Sequence, residues 1–281
     1  MWRFTDALRS LTALASGGGP REAGPPRSSN GASSFHLIWE LAPAARAAPP
    51  ARLVEVSAML EVVVPPRVPA LYFWALQVDF LSGGRPRGGA HTGLQWNRRY
   101  AGNKAVNWGG YASQEDGGAI LSGSVSALPG FSDDPHTLAY SWEPGRPYRL
   151  RVFRSPDRPG AWRAEVTDEA AGQTSVIRDL YVDVERGAGD DPLAHYLARP
   201  LVWSEVFADC DAPSVTVRWS DLEVVDEAGS RSRPGRVRVN YQTPGEGGCT
   251  NTTAAVDERG ILQVTNTPRT TPQDAVLVIE R

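Results

Sequence analysis

Lysine is almost missing from this chain of 281 residues: Lys104 is the only one, against 28 arginines. A phosphate-cradling loop of the G-x-x-x-x-G-K type is therefore excluded, because no glycine-rich loop here carries its lysine. The arginines are scattered among acids and the formal charge is −3, which excludes nucleic-acid binding through a clustered basic face. The arginine bias itself reads as codon usage in a GC-rich genome. Cysteine (2), methionine (2) and histidine (4) are also scarce. Four separated histidines and two cysteines offer no paired ligand spacing for zinc. The loop acids Asp133, Asp134, Asp190, Asp191, Asp209 and Asp211 lack the regular spacing of a calcium loop. No metal and no cofactor is expected. The longest uncharged apolar stretch, Val68–Val78, has 11 residues, short of the roughly 20 that span a bilayer, so no membrane span is expected. Trp2, Phe4, Leu8, Leu11 and Ala15, interrupted by Asp6 and Arg9, fit one short amphipathic helix better than a signal peptide. The compartment stays open between the cytoplasm and secretion by a route without a recognisable signal.

What the chain does have is turn formers and strand formers. Gly (28) and Pro (23) are abundant, and 41% of the residues are hydrophobic. Residues 16–33 form a Gly/Pro/Ser linker, which with the short helix makes a leading segment 1–33. Residues 42–51 form a second loop. From Leu53 the pattern turns to period two. Val54, Val56, Ala58, Leu60, Val62 and Val64 share one face, with Glu55, Ser57 and Glu61 opposite, as a half-buried strand requires. In Ala70–Leu81 the even face is Tyr72, Trp74, Leu76, Val78 and Phe80, while the odd face ends in Gln77 and Asp79. Further strands are predicted over Ala90–Arg98, Lys104–Tyr111, Ala119–Ser124, Thr137–Trp142, Pro147–Arg154, Ala161–Thr167, Ser175–Asp183, Pro200–Phe207 and Ser214–Val225. Pro147–Arg154 and Ala161–Thr167 are joined by SPDRPG, a loop that suits a hairpin. The face of Ser214–Val225 switches after Trp219, which predicts a bulge near Ser220–Asp221. Pro192–Ala198 is the one further helix candidate. The sandwich is expected over 34–228. Val237–Tyr241, Ile261–Asn266 and Ala275–Glu280 in 229–281 are either its edge strands or a small β appendage. Cys210 and Cys249 are paired or free; a pairing would tie this tail to the main body.

The densest chemistry lies in residues 91–116. His91, Gln95 and Asn97 share one strand face as a polar row, followed by Arg98. Asn107, Trp108 and Tyr111 follow, with Trp108 beside Gly109 and Gly110, where backbone and ligand can approach closely. Flat aromatic faces beside amide and guanidinium groups are what sugar recognition needs. These seven residues are the candidate ligand-binding set, and Trp108 is expected to face the ligand.

The order of features in 33–228 resembles the concanavalin-like jelly-roll sandwiches, the lectin and glucanase group, and especially bacterial sandwich domains of unassigned function. The carriers are Gly93–Trp96 (GLQW), Ala105–Tyr111 (AVNWGGY), Tyr140–Val152 and Val217–Asp226. The resemblance implies an all-β antiparallel jelly-roll sandwich with little helix, and a polysaccharide or glycan as partner. The group's glucanases carry an E-x-D-x-E cluster on one strand. Here Asp183-Val184-Glu185 lacks a third acid, Asp221-Leu222-Glu223 has two, and Glu205 stands alone, so no catalytic set carries over. The reading is a non-catalytic carbohydrate-binding sandwich. Beside it stand a glycoside hydrolase with an atypical pair from Glu205, Asp183 or Glu223, and a structural or protein-interaction domain. Nothing in the sequence sets an oligomeric state.

Overall fold

The computed structural model describes residues 22–41, 52–123, 126–128, 136–182 and 195–279. Their regular structure is strand, apart from short 3₁₀ turns. In chain order the strands are β1 (Ser33–Glu40), β2 (Leu53–Val64), β3 (Tyr72–Ser82), β4 (Arg85–Trp96), β5 (Lys104–Ala112), β6 (Ser122–Gly123), β7 (Thr137–Ala139), β8 (Pro147–Arg154) and β9 (Ala161–Asp168). They continue with β10 (Gln173–Tyr181), β11 (Tyr196–Val206), β12 (Val215–Asp226), β13 (Arg231–Ser232), β14 (Arg236–Tyr241), β15 (Thr252–Asp257), β16 (Gly260–Thr265) and β17 (Val276–Val278).

All pairings between these strands are antiparallel, and they form two layers. One runs β17–β14–β1–β11–β3–β4–β5–β7. The other runs β15–β16–β12–β2–β8–β9–β10–β6, with β13 beside β12. The layers touch at one corner, where Leu197 of β11 pairs with Leu53 of β2. This is an all-β antiparallel sandwich, the class that the period-two alternation predicts.

The alternation builds the core. The even positions of β3 and the inward positions of β2, Val56, Ala58, Leu60 and Val62, are buried between the layers. Buried tryptophans fill the core, and the indole N–H groups of Trp108, Trp142 and Trp219 find acceptors, whereas those of Trp39, Trp74 and Trp203 meet none among the described residues. Trp108 Nε1 donates to the Trp162 carbonyl across the sandwich at 3.1 Å. Trp142 Nε1 donates to the Gln95 carbonyl at 3.0 Å. Gln263 is the polar centre of the core. It accepts from Trp219 Nε1 at 2.8 Å and Ser204 Oγ at 2.9 Å, and donates to the Phe35 carbonyl at 2.9 Å.

Several expectations need correction. The helix predicted over Pro192–Ala198 is not formed in its described part. Tyr196–Ala198 opens β11 and pairs with Asp79–Leu81, so sheet pairing overrides the local helical pattern,. Residues 22–32 of the supposed linker are tied down by hydrogen bonds to the main body. The sequence pattern does not predict β1, β13 or β15. The bulge is where the face switch puts it, between Ser220 and Glu223, with Asp221 at a φ of 46°. A disulfide joins Cys210 to Cys249. The N-terminal helix, loop 42–51 and the acids Asp133, Asp134, Asp183, Asp190 and Asp191 lie outside the described residues. Among the described residues no helix is long and apolar enough to cross a membrane.

Candidate functional site

The odd positions of β3 point away from the core, onto the outer face of the first layer. Strand register then dictates which side chains meet there. One row crosses the sheet as Ser34, Glu205, Phe73 and Gln95. The next is His36, Trp203, Ala75, Gly93, Asn107 and Thr137. The third is Leu201, Gln77, His91 and Gly109. The middle row is depressed at Ala75 and Gly93, so the outer rows wall a groove of about 670 Å³.

Two glycines shape it. A Cβ on Gly93 would lie 1.9 Å from the Trp74 carbonyl oxygen, so β3 and β4 can run this close only without a side chain. A Cβ on Gly109 would lie 2.2 Å from Cγ of His136, so this glycine lets the His136 imidazole lie across β5 into the groove. Gly109→Val is therefore expected to displace His136. The check is the His136 ring-proton shifts by NMR, with other core resonances unmoved.

The floor is aromatic. Phe73 and Trp203 meet edge to face at 4.9 Å, and His91 touches them at 5.4 and 5.5 Å. The polar groups at the β5 end are held in place. Thr137 Oγ1 accepts from Gln95 Nε2 at 3.4 Å and from Asn107 Nδ2 at 3.2 Å, and Asn97 Nδ2 donates to Gln95 Oε1 at 2.9 Å. The Gln95 amide is thus held at both ends.

Among the described residues the groove is lined by a single carboxyl group, Glu205, and by no lysine or arginine. Burial raises the Glu205 pKa above the usual carboxylate value, opposed by a hydrogen bond from Asn30 Nδ2 at 3.3 Å. Burial lowers His36 and pushes His91 down to about 4, with the charge of His136 adding to the second shift. Among the described residues no group of three His, Cys, Asp or Glu could hold a metal ion.

A depressed histidine stabilises the fold fully above its unfolded value of about 6.5, and that contribution is lost as pH falls through the folded value. For His91 the window runs from about 6.5 to about 4. At about 1.4 kcal/mol per pH unit the loss approaches 3 kcal/mol. Urea unfolding at pH 7, 5 and 4 should show His91→Gln losing less stability on acidification than the unmodified chain. Equal losses would sink the assignment.

The candidate set from residues 91–116 divides. His91, Gln95, Asn107 and Tyr111 line the groove, Tyr111 at its rim with half its surface exposed. Asn97 stands behind Gln95, and Arg98 lies on the exposed turn after β4. Trp108 is corrected: it is fully buried and faces the core. On β5, positions 107, 109 and 111 face out, so 108 must face in. Close approach at Gly109 and Gly110 is by His136 and by the β4 backbone. Glu205, weighed in the sequence only as one of an atypical glycosidase pair, lines the groove, and sequence reasoning misses Gln77, His36 and His136. Glu223 is bound to Arg231 and Arg233 on the other layer. Asn251 is buried, with its Nδ2 donating to the carbonyls of Glu22 and Cys210.

Fold and site together define a class: an antiparallel β-sandwich carrying a groove around one desolvated acid. No family model matches the chain, and no curated protein does. Solved structures do. SCP-B, a member of the eqolisin family of peptidases, in a complex with a tripeptide Ala-Ile-His, is similar at 10% identity and a TM-score of 0.43, covering 86% of this chain and 98% of that one. Scytalido-glutamic peptidase with a peptide-based transition state analog is similar at 9% identity and a TM-score of 0.43, covering 83% and 98%. These matches correct the resemblance to concanavalin-like lectins and glucanases, since the similar structures are peptidases. The carbohydrate-binding reading and the polysaccharide partner fall with it, and the glycoside-hydrolase and structural-domain alternatives gain no support.

Proposed function

We propose that the groove binds an extended peptide segment and hydrolyses it, with Glu205 as the proton-transferring group. The observation that carries this is the row that sets one desolvated carboxyl, Glu205, across Phe73 from the pinned amide of Gln95. Two strand spacings put their Cα atoms about 10 Å apart. That gap accommodates a water and a carbonyl group between the two side chains.

The chemistry follows from the inventory. Glycosidic cleavage ordinarily takes two carboxyl groups, and the described residues that line the groove supply one. Amide hydrolysis takes one proton shuttle and a donor for the oxyanion. Ionised Glu205 takes a proton from water as its oxygen attacks the carbonyl carbon. The second N–H of Gln95 Nε2 donates to the oxygen that becomes negative. When the C–N bond breaks, Glu205 returns the proton to the leaving nitrogen, giving a carboxylic acid and an amine. A raised pKa makes Glu205 a stronger base than an exposed carboxylate. Gln77 and Asn107 add amides that can pair with the backbone of an extended chain.

The test is incubation of the full chain with a peptide library between pH 4 and 7, with new termini read by mass spectrometry. Cleavage by the unmodified chain that disappears in Glu205→Gln supports the reading. Absence of cleavage across that range overturns it.

A further inference from the structure

Asn30 belongs to neither sheet, yet it makes the one hydrogen bond that the Glu205 carboxylate receives among the described residues. It is carried by a strap, residues 22–32. Asn251 anchors the start of the strap, accepting from the Glu22 N–H at 2.9 Å and donating to the Glu22 carbonyl at 2.6 Å. The Gly24 carbonyl accepts from the Cys210 N–H at 2.7 Å, and the Gly24 N–H donates to Asp211 Oδ1 at 3.0 Å. The Arg27 N–H donates to the Gly247 carbonyl at 2.8 Å, and the Cys249 N–H donates to Ser33 Oγ at 2.9 Å. The strap thus rests on the two loops that the Cys210–Cys249 disulfide joins.

At its far end the amide is oriented. Asn30 Oδ1 accepts from Ser28 Oγ at 2.9 Å and from the Ala32 N–H at 3.1 Å. That leaves Nδ2 as the edge facing Glu205. A donor held against a carboxylate favours its ionised form and fixes its rotamer.

We propose that Asn30 is a positioning residue for Glu205, delivered by a strap whose seat the disulfide fixes. The proposal rests on the reading of Glu205 as the proton-transferring group. Asn30 touches no reacting atom. It sets which way the carboxylate points and how readily it ionises.

The test uses Asn30→Ser and Asn30→Ala in the full chain. Serine keeps the local turn, because its hydroxyl can still accept from the Ala32 N–H, but it cannot reach Glu205. Both variants should lower kcat about tenfold with KM little changed, and both should move the acid limb of the pH profile upward. The Glu205 carboxyl is also followed directly by ¹³C NMR, assigned by its absence in Glu205→Gln. Its titration should move up by about half a unit or more in either Asn30 variant, and likewise in Cys210→Ser/Cys249→Ser. An unmoved titration in Asn30→Ser overturns the proposal whether or not peptides are cleaved. A moved titration in a chain that cleaves nothing upholds the coupling and overturns the hydrolase reading. An unmoved titration in the folded double-serine chain overturns the role given to the disulfide.

Discussion

Glu205→Gln should reduce peptide hydrolysis by about 10³-fold, the middle of the range for removing a general acid–base group. The glutamine is nearly isosteric and its carbonyl still accepts from Asn30, so KM should barely move, and a loss in kcat alone identifies a group acting in the transition state. In the unmodified chain kcat/KM should rise through one acid limb above the ordinary glutamate value, because burial raises the Glu205 pKa and the base works ionised,. The same substitution should alter stability in the opposite sense. A raised carboxyl stabilises the fold below its unfolded value and loses that contribution as pH rises through the folded value. The neutral amide escapes that loss, so Glu205→Gln should be the more stable protein at pH 7 and not at pH 3.5. Urea midpoints at the two values check the crossover. Activity that survives the substitution, or an acid limb at the same pH as a free glutamate, would remove Glu205 from the reaction.

The second large effect lies in the core. Gln263→Leu should destabilise the sandwich by about 4 kcal/mol, because it strips hydrogen bonds from three buried groups at about 1–3 kcal/mol each, less the gain from an apolar side chain. The groups are Trp219 Nε1, Ser204 Oγ and the Phe35 carbonyl. Two of them belong to strands of the groove layer, β11 and β1, so the loss should also loosen the row in which Glu205 sits. Denaturant unfolding gives the free energy, and a change under 1 kcal/mol would show that water replaces the amide. Gln263→Glu is a useful companion, since its buried carboxylate could still accept but could no longer donate to Phe35.

Much of the sandwich is legible in the sequence because period two is a strong signal where one face is buried. The bounds of Leu53–Val64 and Pro147–Arg154 are those of β2 and β8. The switch after Trp219 marks a real bulge. β1 escapes because its central run, FHLIW, has only one polar break, at His36, between two loop-like segments. β15 escapes because Thr252–Asp257 is short and opens on threonines and alanines. The site is legible only where it is local. His91, Gln95 and Asn107 come from adjacent strands β4 and β5, and alternation alone puts them on one face. Glu205 looks like an ordinary strand acid until register sets it beside Ser34, 171 residues earlier, and opposite Phe73. No spacing rule reports that meeting. Trp108 misleads for a related reason: the glycines beside it do mark a close approach, but by another part of the chain.

The position of β1 bears on the order of assembly. It lies between β11 and β14, so it waits for two partners that both lie far along the chain from it. Contacts this distant in sequence are slow to form. Until Arg236–Tyr241 has joined it, β1 can pair on one side only, and Ser34 and His36 have no finished sheet to lie on. The groove wall that carries Ser34 and His36 is therefore built by long-range pairing, and Glu205 reaches its working environment only once β1 and β11 have met,.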